Sequence, residues 1–347
     1  MTLDAVMAES DDWRPSCSLQ ILHIRSEMLR AIRAFFQQRD YLEVETPSLS
    51  RDIVLDAGVE PFFIDVRGRR FYLQTSPEAH MKRLLAVGSG SIFQISRVFR
   101  QNERGDRHNS EFTMIEWYGV GSTWLEQLDV TESLVRAATA AAANITNLDV
   151  ADQWCADAFR RTTYAAAFRR TFQIDVFNAS GSELIDAALR HDVVLPADLN
   201  EDQIDDILNV MLALAVEPQL GGSQDETCVH PEFLCDYPPS QAALAVLSDT
   251  YPPVARRFEL YVQGLELCNG YQELADPAEL KRRESLQNQR RSREQFQPLP
   301  GAPQLRAAMQ SGLPACSGVA LGYDRLVMLA TGVKSLQEVL PFPEDRA

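Results

Sequence analysis

The stretch Phe99–Tyr118 reads F-R-Q-N-E-R-G-D-R-H-N-S-E-F-T-M-I-E-W-Y. Its ends predict two strands, and its charged middle predicts the loop that joins them as a hairpin. Period-two alternation places Phe112, Met114, Glu116 and Tyr118 on one face of the second strand. A buried, unpaired carboxylate is costly, so Glu116 needs a cationic partner, which a ligand can supply. The alternative is an exposed hairpin with ordinary surface charges.

Segments on the N-terminal side of this hairpin alternate between helix and strand patterns. Apolar side chains at a spacing of three and four predict an amphipathic helix over 20–39. Ser76 and Pro77 are typical of a helix start and predict a second helix over 77–87. The predicted strands are 41–47, 71–75, 91–100 and 110–118.

The C-terminal side adds helices and then further strands. Alanine-rich residues 122–144 predict a helix, and 160–216 is helical and acidic, which we interpret as part of an insertion at about 150–220. Strand patterns return at 228–236 and 256–268, and are followed by a charged helix over 277–295 and a proline-bearing loop. A strand over 317–321 leads into a helix over 322–331. We expect one α+β domain over 1–347, with an antiparallel β-sheet flanked by helices.

A second motif, G-V-A-L-G-Y-D-R-L-V-M-L, spans Gly318–Leu329. Glycines on a strand allow a ligand or another backbone to approach closely, and Arg325 projects from the first turn of the next helix. The spacing matches neither a dinucleotide fingerprint nor a P-loop. Arg100 and Arg325, on separate elements, suit a triphosphate, because guanidinium forks match phosphate oxygens.

A third motif, G-L-E-L-C-N-G-Y-Q-E-L, spans Gly264–Leu274. We expect Glu266 and Glu273 to lie on either side of a tight turn at Asn269-Gly270, where paired carboxylates are natural Mg²⁺ ligands. The alternative is a hairpin with solvent-exposed glutamates. In a fourth motif, Thr75–Leu84, Glu78 lies in a first helical turn, where negative charge is favoured structurally in any case.

Composition limits the function classes. The 347 residues contain 33 Lys and Arg against 49 Asp and Glu, a net charge of −16, which argues against stable binding of long nucleic acid. We interpret the basic run Lys281–Arg293 as a solvated helix face, with a patch for an acidic partner as the alternative. No apolar stretch is long enough for a membrane span, and the acidic N-terminus does not resemble a signal peptide, so we expect a cytoplasmic protein. The six scattered cysteines are expected to be reduced thiols.

Together and in this order, the motifs resemble the signatures of class II aminoacyl-tRNA synthetases over residues 20–120 and 228–332. The helix followed by Pro47 resembles the first motif and implies a homodimer. The hairpin of Arg100 resembles the second motif, and Gly322-Tyr-Asp-Arg325 resembles the third. The pattern R-H-N-x-E-F-T-M-x-E-x-Y, with E-x-x-N-G-x-x-E-L downstream, is similar to the lysyl branch.

The resemblance implies a site for ATP and Mg²⁺. Arg100 would bind the α-phosphate, Arg325 the γ-phosphate, and Phe112 would stack on adenine. Other nucleotide contacts would come from Asn102, Glu103, His108, Asn109, Glu266, Leu267 and Gly322. Glu266 and Glu273 would hold the metal. A lysine-like substrate would be surrounded by Ser76, Glu78, Glu116, Tyr118, Asn269 and Glu273.

Three departures from the lysyl pattern refine this expectation. The first motif begins near residue 20, which leaves no place before it for an anticodon-binding domain. Ala320 stands where the middle glycine of G-x-G-x-G is usual. Asn102 stands where a glutamate is usual, with Glu103 one position later, so either Asn102 or Glu103 would make that nucleotide contact. The first two departures match short lysyl-tRNA synthetase paralogues that attach (R)-β-lysine to elongation factor P.

This resemblance implies a ligase that activates (R)-β-lysine or lysine as an acyl-adenylate and transfers it to the ε-amino group of a lysine on elongation factor P. One alternative is a truncated synthetase that charges tRNA or a tRNA-like acceptor. The others are an inactive regulatory binding module and an amide ligase of the asparagine synthetase type. The retention of Arg100, Arg325, Glu266 and Glu273 disfavours the inactive module, and Glu116 with Tyr118 disfavours the amide ligase.

Overall fold

The structure is a computed structural model that describes residues 13–56, 58–146, 154, 157–222 and 228–347. The α-helices are α1 (Leu19–Gln37), α2 (Glu78–Ala86), α3 (Trp124–Thr146), α4 (Tyr164–Phe172), α5 (Gly181–Arg190), α6 (Ile204–Met211), α7 (Pro277–Arg293), α8 (Pro303–Gly312) and α9 (Tyr323–Thr331). The strands are β1 (Leu42–Glu43), β2 (Leu49–Ser50), β3 (Phe63–Val66), β4 (Arg69–Leu73), β5 (Ile92–Phe99), β6 (Glu111–Val120), β7 (Arg160–Thr163), β8 (Glu232–Tyr237), β9 (Ala255–Val262), β10 (Leu265–Gln272) and β11 (Cys316–Gly322).

One large mixed sheet organises the fold, with its strands in the order β1-β5-β6-β11-β10-β9-β8-β7. The inner neighbours are antiparallel, whereas the two edge pairs, β1 with β5 and β7 with β8, are parallel. A small antiparallel sheet, β2-β4-β3, lies beside it. The predicted α+β class and the predicted hairpin β5–β6 are confirmed, and the parallel edge pairs are an addition to the antiparallel sheet that we expected.

Helices α1, α3 and α9 pack against one face of this sheet. Ile32 and Phe36 of α1 are fully buried, and the Phe36 ring stacks on Phe93 of β5 at 4.5 Å between centroids. Trp117 of β6 points into the same core, with its ring 5.4 Å from Phe36. Because side chains alternate along β6, its neighbour Glu116 faces the other side of the sheet, where the site lies.

Helices α4 to α6 form a second apolar core against the other end of the sheet. Tyr164 and Phe168 of α4 stack at 4.5 Å, and Tyr237 of β8 packs against Tyr164 at 5.1 Å. This arrangement fits the predicted helical insertion. One part of that prediction is wrong, since 160–163 forms the edge strand β7, and Thr163 then caps α4 by accepting a hydrogen bond from the backbone of Ala166.

The predicted turn at Asn269-Gly270 is also wrong. Both residues lie inside β10, and the chain turns earlier, at Gln263 and Gly264, which have φ of 52° and 70°. The predicted strand over 256–268 is therefore two strands, β9 and β10. The predicted proline-bearing loop contains helix α8, which begins at Pro303, a residue that is well tolerated in a first helical turn.

The expectation of six reduced cysteines is wrong at one described position. Cys228 is disulfide-bonded, whereas Cys17, Cys235, Cys268 and Cys316 are free and buried. Within the described part of the chain, no helix is long and apolar enough to cross a membrane.

Candidate active site

A cavity of about 1140 Å³ lies on the sheet face opposite α1 and collects residues from motifs far apart in the sequence. Arg100 of the hairpin and Arg325 of α9 both line it. The other predicted site residues in its wall are Ser76, Glu78, Glu103, His108, Asn109, Phe112, Glu116, Tyr118, Glu266, Leu267, Asn269, Glu273 and Gly322. The cavity exceeds the range of about 300–1,000 Å³ that is typical for one small ligand, so it has room for more than one.

Arg100 follows β5 and is held at the cavity by two contacts. Its Nε donates to the backbone oxygen of Thr75 at 3.3 Å, and Nη1 lies 3.3 Å from the Glu103 carboxylate. The guanidinium also lies 5.1 Å from the centre of the Phe112 ring. An aromatic face beside a fixed cation suits a base stacked next to its phosphates.

Arg325 lies across the cavity in the first turn of α9. It donates to the backbone oxygen of Glu266 at 2.7 Å and to the backbone oxygen of Arg107 at 3.3 Å. Its Nη2 contacts Nε2 of His108 at 2.9 Å. Burial and the charge of Arg325 lower the pKa of His108, so a neutral imidazole can accept this hydrogen bond.

The loop between β5 and β6 is also fixed by the C-terminal residues. Asn109 donates from Nδ2 to the backbone oxygen of Glu111 at 2.7 Å and accepts at Oδ1 from the backbone of Glu344 at 3.2 Å. The Glu344 carboxylate accepts from Ser110 at 2.8 Å and pairs with Arg104. Both the nitrogen and the oxygen of the Asn109 side chain are therefore hydrogen-bonded within the protein, so Asn109 holds the loop in place.

Of the two residues considered for one nucleotide contact, Glu103 lines the cavity and Asn102 does not. Asn102 has a left-handed φ of 64°, as expected for asparagine in a tight turn. The turn therefore uses Asn102 for its backbone conformation and presents Glu103 to the cavity.

The amino-acid end of the cavity is built around Glu116 of β6. Its carboxylate accepts hydrogen bonds from the Ser76 hydroxyl at 2.8 Å and the Tyr118 hydroxyl at 2.6 Å. Ser76 also accepts from the backbone of Glu78 at 3.0 Å, which links the start of α2 to the pocket. The face of β6 that alternation predicted therefore carries the Glu116 carboxylate, as we expected.

Among the residues that the structure describes, no cation contacts Glu116, although it is only 2% exposed. Burial, and then the negative charge of Glu78, raise the pKa of Glu116 to about 8. A ligand ammonium at this position would favour the ionised form. The pocket therefore suits a cationic group.

Lys82 of α2 belongs to the site, and the sequence reasoning missed it. Its ammonium lies 2.5 Å from the Glu78 carboxylate and 2.5 Å from the Glu273 carboxylate, and only 1% of the residue is exposed. The spacing of four between Glu78 and Lys82 was a visible signal of this pair. The contact with Glu273 was not, because only the folded sheet brings β10 to α2.

The predicted metal pair, Glu266 and Glu273, is contradicted by the strand geometry. Both residues lie on one continuous strand or at its end, and seven residues of strand span about 23 Å. Two glutamate side chains cannot reach one ion across that distance.

Glu259 of the neighbouring strand β9 replaces Glu273 beside Glu266, and the sequence reasoning missed this residue also. Glu259 and Glu266 both line the cavity, and desolvation followed by the charge of Glu259 raises the pKa of Glu266. Glu259 accepts from the hydroxyls of Tyr237 at 2.5 Å and Tyr261 at 2.7 Å. The alternation of Glu259 with the hydrophobic residues Phe258 and Leu260 could have indicated that Glu259 faces the same side of the sheet as the site.

Gly318 of β11 completes the wall of the amino-acid pocket. A Cβ at this position would lie 2.4 Å from Oε1 of Glu273 and 2.4 Å from the Tyr118 ring. Only glycine fits there without displacing one of them. Two residues later, Ala320 is the cross-strand partner of both Glu116 and Asn269, so its methyl group lies within the pocket wall.

Comparison with known proteins agrees with this architecture. The family of class II tRNA synthetases (D, K and N) matches residues 10–346. The elongation factor P–(R)-β-lysine ligase of Yersinia enterocolitica serotype O:8 / biotype 1B is 40% identical over 347 residues, which cover 98% of this chain and 100% of the relative. The enzyme of the same name from Salmonella paratyphi B (strain ATCC BAA-1250 / SPB7) has the same identity and coverage. The chain therefore belongs to the class II tRNA synthetase (D, K and N) family.

Proposed function

We propose that this protein is an ATP-dependent ligase that activates (R)-β-lysine, or lysine, and transfers it to a lysine ε-amine of elongation factor P. One observation carries the proposal, namely that Arg100, Arg325 and the acidic pocket of Glu116 line a single cavity. The names of the relatives support the acceptor and the amino acid. We place the reaction in the cytoplasm.

In the first step, the carboxylate of the amino acid attacks the α-phosphorus of ATP. A bond forms between a carboxylate oxygen and the α-phosphorus. The bond from the α-phosphorus to the oxygen that bridges to the β-phosphate breaks, and pyrophosphate leaves. The carboxylate is already ionised, so the step needs no general base. Arg100 stabilises the charge at the α-phosphate and Arg325 holds the γ-phosphate, while Phe112 stacks on the adenine.

Glu266 and Glu259 would hold Mg²⁺ together with the phosphates. The described residues contain no cluster of three side chains that could hold a metal ion by themselves. Two carboxylates fit this ion, because Mg²⁺ is usually bound by one or two carboxylates, waters and substrate phosphates. When bound, the ion would neutralise phosphate charge and orient the leaving pyrophosphate.

In the second step, the unprotonated ε-amine of the acceptor lysine attacks the acyl carbon of the adenylate. An amide bond forms, the bond from the acyl carbon to the phosphate oxygen breaks, and AMP leaves, while the nitrogen loses a proton. Glu116 and Ser76 hold an ammonium group of the activated amino acid during this step, with Glu78 and Glu273 on the facing wall. Orientation by these groups keeps the acyl carbon towards the acceptor.

Homodimerisation through α1 and β1 is a further part of the proposal. Leu19 of α1 and Leu42 of β1 are exposed apolar side chains. Trp13, which precedes α1, is also exposed. A dimer interface would cover such side chains. Sedimentation of the purified protein at several concentrations measures the assembly directly.

The acceptor is tested by adding radiolabelled lysine or β-lysine and ATP to either elongation factor P or total tRNA. We expect acid-stable label on elongation factor P and none on tRNA. Label that enters only the tRNA fraction would contradict the proposed acceptor and support a tRNA-charging enzyme. Omission of ATP is the control, and it should remove all incorporation.

A further inference from the structure

Lys82 lies behind the wall of the amino-acid pocket. Glu78 and Glu273 line the cavity, whereas Lys82 does not, although its ammonium contacts both carboxylates at 2.5 Å. The ammonium is also 5.9 Å from the centre of the Tyr118 ring. Lys82 therefore does not occupy the place of the substrate, and it acts on the substrate only through the two glutamates.

The charges around Lys82 divide into two groups. Glu78, Glu273 and Lys82 form one group, in which two carboxylates share a single cation. Glu116 forms the other, with only neutral hydroxyl donors in contact. Although burial alone would lower the pKa of Lys82, the charges of Glu273 and Glu78 raise it, so Lys82 stays protonated.

Two neutral ionisable groups, the Tyr118 hydroxyl and the Cys316 thiol, lie near these carboxylates. Burial and the neighbouring carboxylates raise the pKa of the Tyr118 hydroxyl, and burial followed by the charge of Glu273 raises that of the Cys316 thiol. Three carboxylates against one ammonium leave the ionised pocket with two uncompensated negative charges, one in each group.

We infer that Lys82 is a positioning residue that sets the charge of the pocket so that it selects amino acids with two ammonium groups. The inference rests on the proposed function, because Glu78, Glu116 and Glu273 are taken as the walls of the amino-acid pocket. When the substrate carboxylate is joined to phosphate, the aminoacyl part retains its two ammonium groups. These two cations match the two negative charges that Lys82 leaves uncompensated.

Removal of Lys82 has a defined electrostatic consequence. Each of its two carboxylate contacts is 2.5 Å long, so the carboxylates would face each other across a short buried gap. Two carboxylates at such a distance cannot both remain ionised at neutral pH, and one takes up a proton. Burial raises the pKa of Glu273 to about 7, although the charge of Lys82 lowers it, so removal of Lys82 would raise this pKa further.

The test compares Lys82→Met with Lys281→Met, a change of an exposed lysine on α7, in ATP–pyrophosphate exchange. We expect Lys82→Met to lower kcat/KM for the diamino acid at least tenfold at neutral pH, with KM for ATP unchanged within twofold. Its pH profile should shift to higher pH, because Glu273 loses the charge of Lys82 that lowers its pKa. Lys281→Met should behave as wild type. A folded Lys82→Met protein with a wild-type pH profile would overturn the inference, as would an equal rise in KM for ATP and amino acid.

A double variant, Lys82→Met/Glu273→Gln, separates charge from packing and serves also if the single variant does not fold. It restores the two uncompensated charges, so the shift of the pH profile should disappear, and lysine should again be preferred to its monoamine analogue norleucine. A double variant that lacks this preference would overturn the inference. If the wild type activates no diamino acid, the proposed function fails instead, and the two failures are therefore distinguishable.

Discussion

The protonation of Glu116 controls the charge of the amino-acid pocket. Its pKa is raised to about 8, so at lower pH the pocket holds a neutral acid that attracts an ammonium group weakly. We predict that kcat/KM for the amino acid in ATP–pyrophosphate exchange rises with pH until about 8 and then levels off. Substrate binding near neutral pH should release protons, which calorimetry in buffers of different ionisation enthalpy measures.

Glu116→Gln should lose this pH dependence together with most of the activity. The exposed Glu111, on the same strand, provides the matched control, and Glu111→Gln should keep the wild-type profile. A raised carboxyl pKa means that the folded state holds the proton more tightly than the unfolded state. Glu116 therefore lowers stability progressively as pH rises from its ordinary pKa to about 8, and Glu116→Gln should melt higher than wild type at alkaline pH. A flat wild-type profile between about pH 6 and about pH 9 would contradict this assignment.

Ala320 is the residue through which the pocket shape can favour the β-amino acid. Its methyl group lies between its cross-strand partners Glu116 and Asn269, where the synthetase pattern has glycine. We predict that Ala320→Gly lowers the preference for β-lysine over α-lysine. One methyl group contributes only about 1–3 kcal/mol of discrimination, so the change should be partial. The ratio of kcat/KM values for the two substrates measures it, and an unchanged ratio would rule out this role.

At the scale of single elements, the hairpin β5–β6 and the strand–helix pair β11–α9 were predictable from sequence. Period-two alternation predicted which face of β6 carries Glu116. The glycine-bearing strand before Arg325 predicted that this arginine lies in the first turn of the next helix. The turn at Asn269-Gly270 was not predicted correctly, because Asn-Gly is usually a turn signal. In the structure, Gly270 is required by close packing, since a Cβ there would lie 2.4 Å from the Phe258 ring.

The contacts that sequence could not predict are those set by tertiary packing. Lys82 meets Glu273, and Glu259 lies near Glu266, only because β9, β10 and α2 come together in the folded sheet. Strand register decides such pairs, and a misplaced turn changes every register after it. The wrong turn at Asn269 therefore also produced the wrong metal pair.

Helix α1 is connected to the phosphate end of the site by a buried ion pair. Arg25 lies 2.6 Å from Asp324, whose other oxygen accepts from the backbone of Thr113 at 2.7 Å. We predict that Arg25→Ala lowers the free energy of unfolding by about 3–5 kcal/mol, because it leaves a buried carboxylate unpaired. KM for ATP should also rise, since Asp324 precedes Arg325. Urea denaturation and exchange kinetics measure the two effects.

Arg30, on the same helix, is the matched control, because its pair with Glu27 is exposed. Arg30→Ala should change the free energy of unfolding by less than about 1 kcal/mol. Equal effects of the two substitutions would show that the connection between α1 and α9 does not stabilise the fold.

At the scale of the whole molecule, the sheet separates structural and chemical roles. One face packs against α1, α3 and α9, and the other carries the cavity. The alternation of residues along β6 predicted the face that carries Glu116, and the structure places Trp117 in the core on the other face. The overall charge of −16 fits a small-molecule and protein substrate better than a nucleic acid.

ATP–pyrophosphate exchange by wild type and Arg100→Ala measures whether Arg100 serves the activation step, with circular dichroism to show that both proteins are folded. We expect exchange in wild type that requires lysine or β-lysine, and a loss of at least a hundredfold in Arg100→Ala, because the α-phosphate loses its fixed cation. Exchange by folded Arg100→Ala at a near-wild-type rate would rule out the role of Arg100 at the α-phosphate.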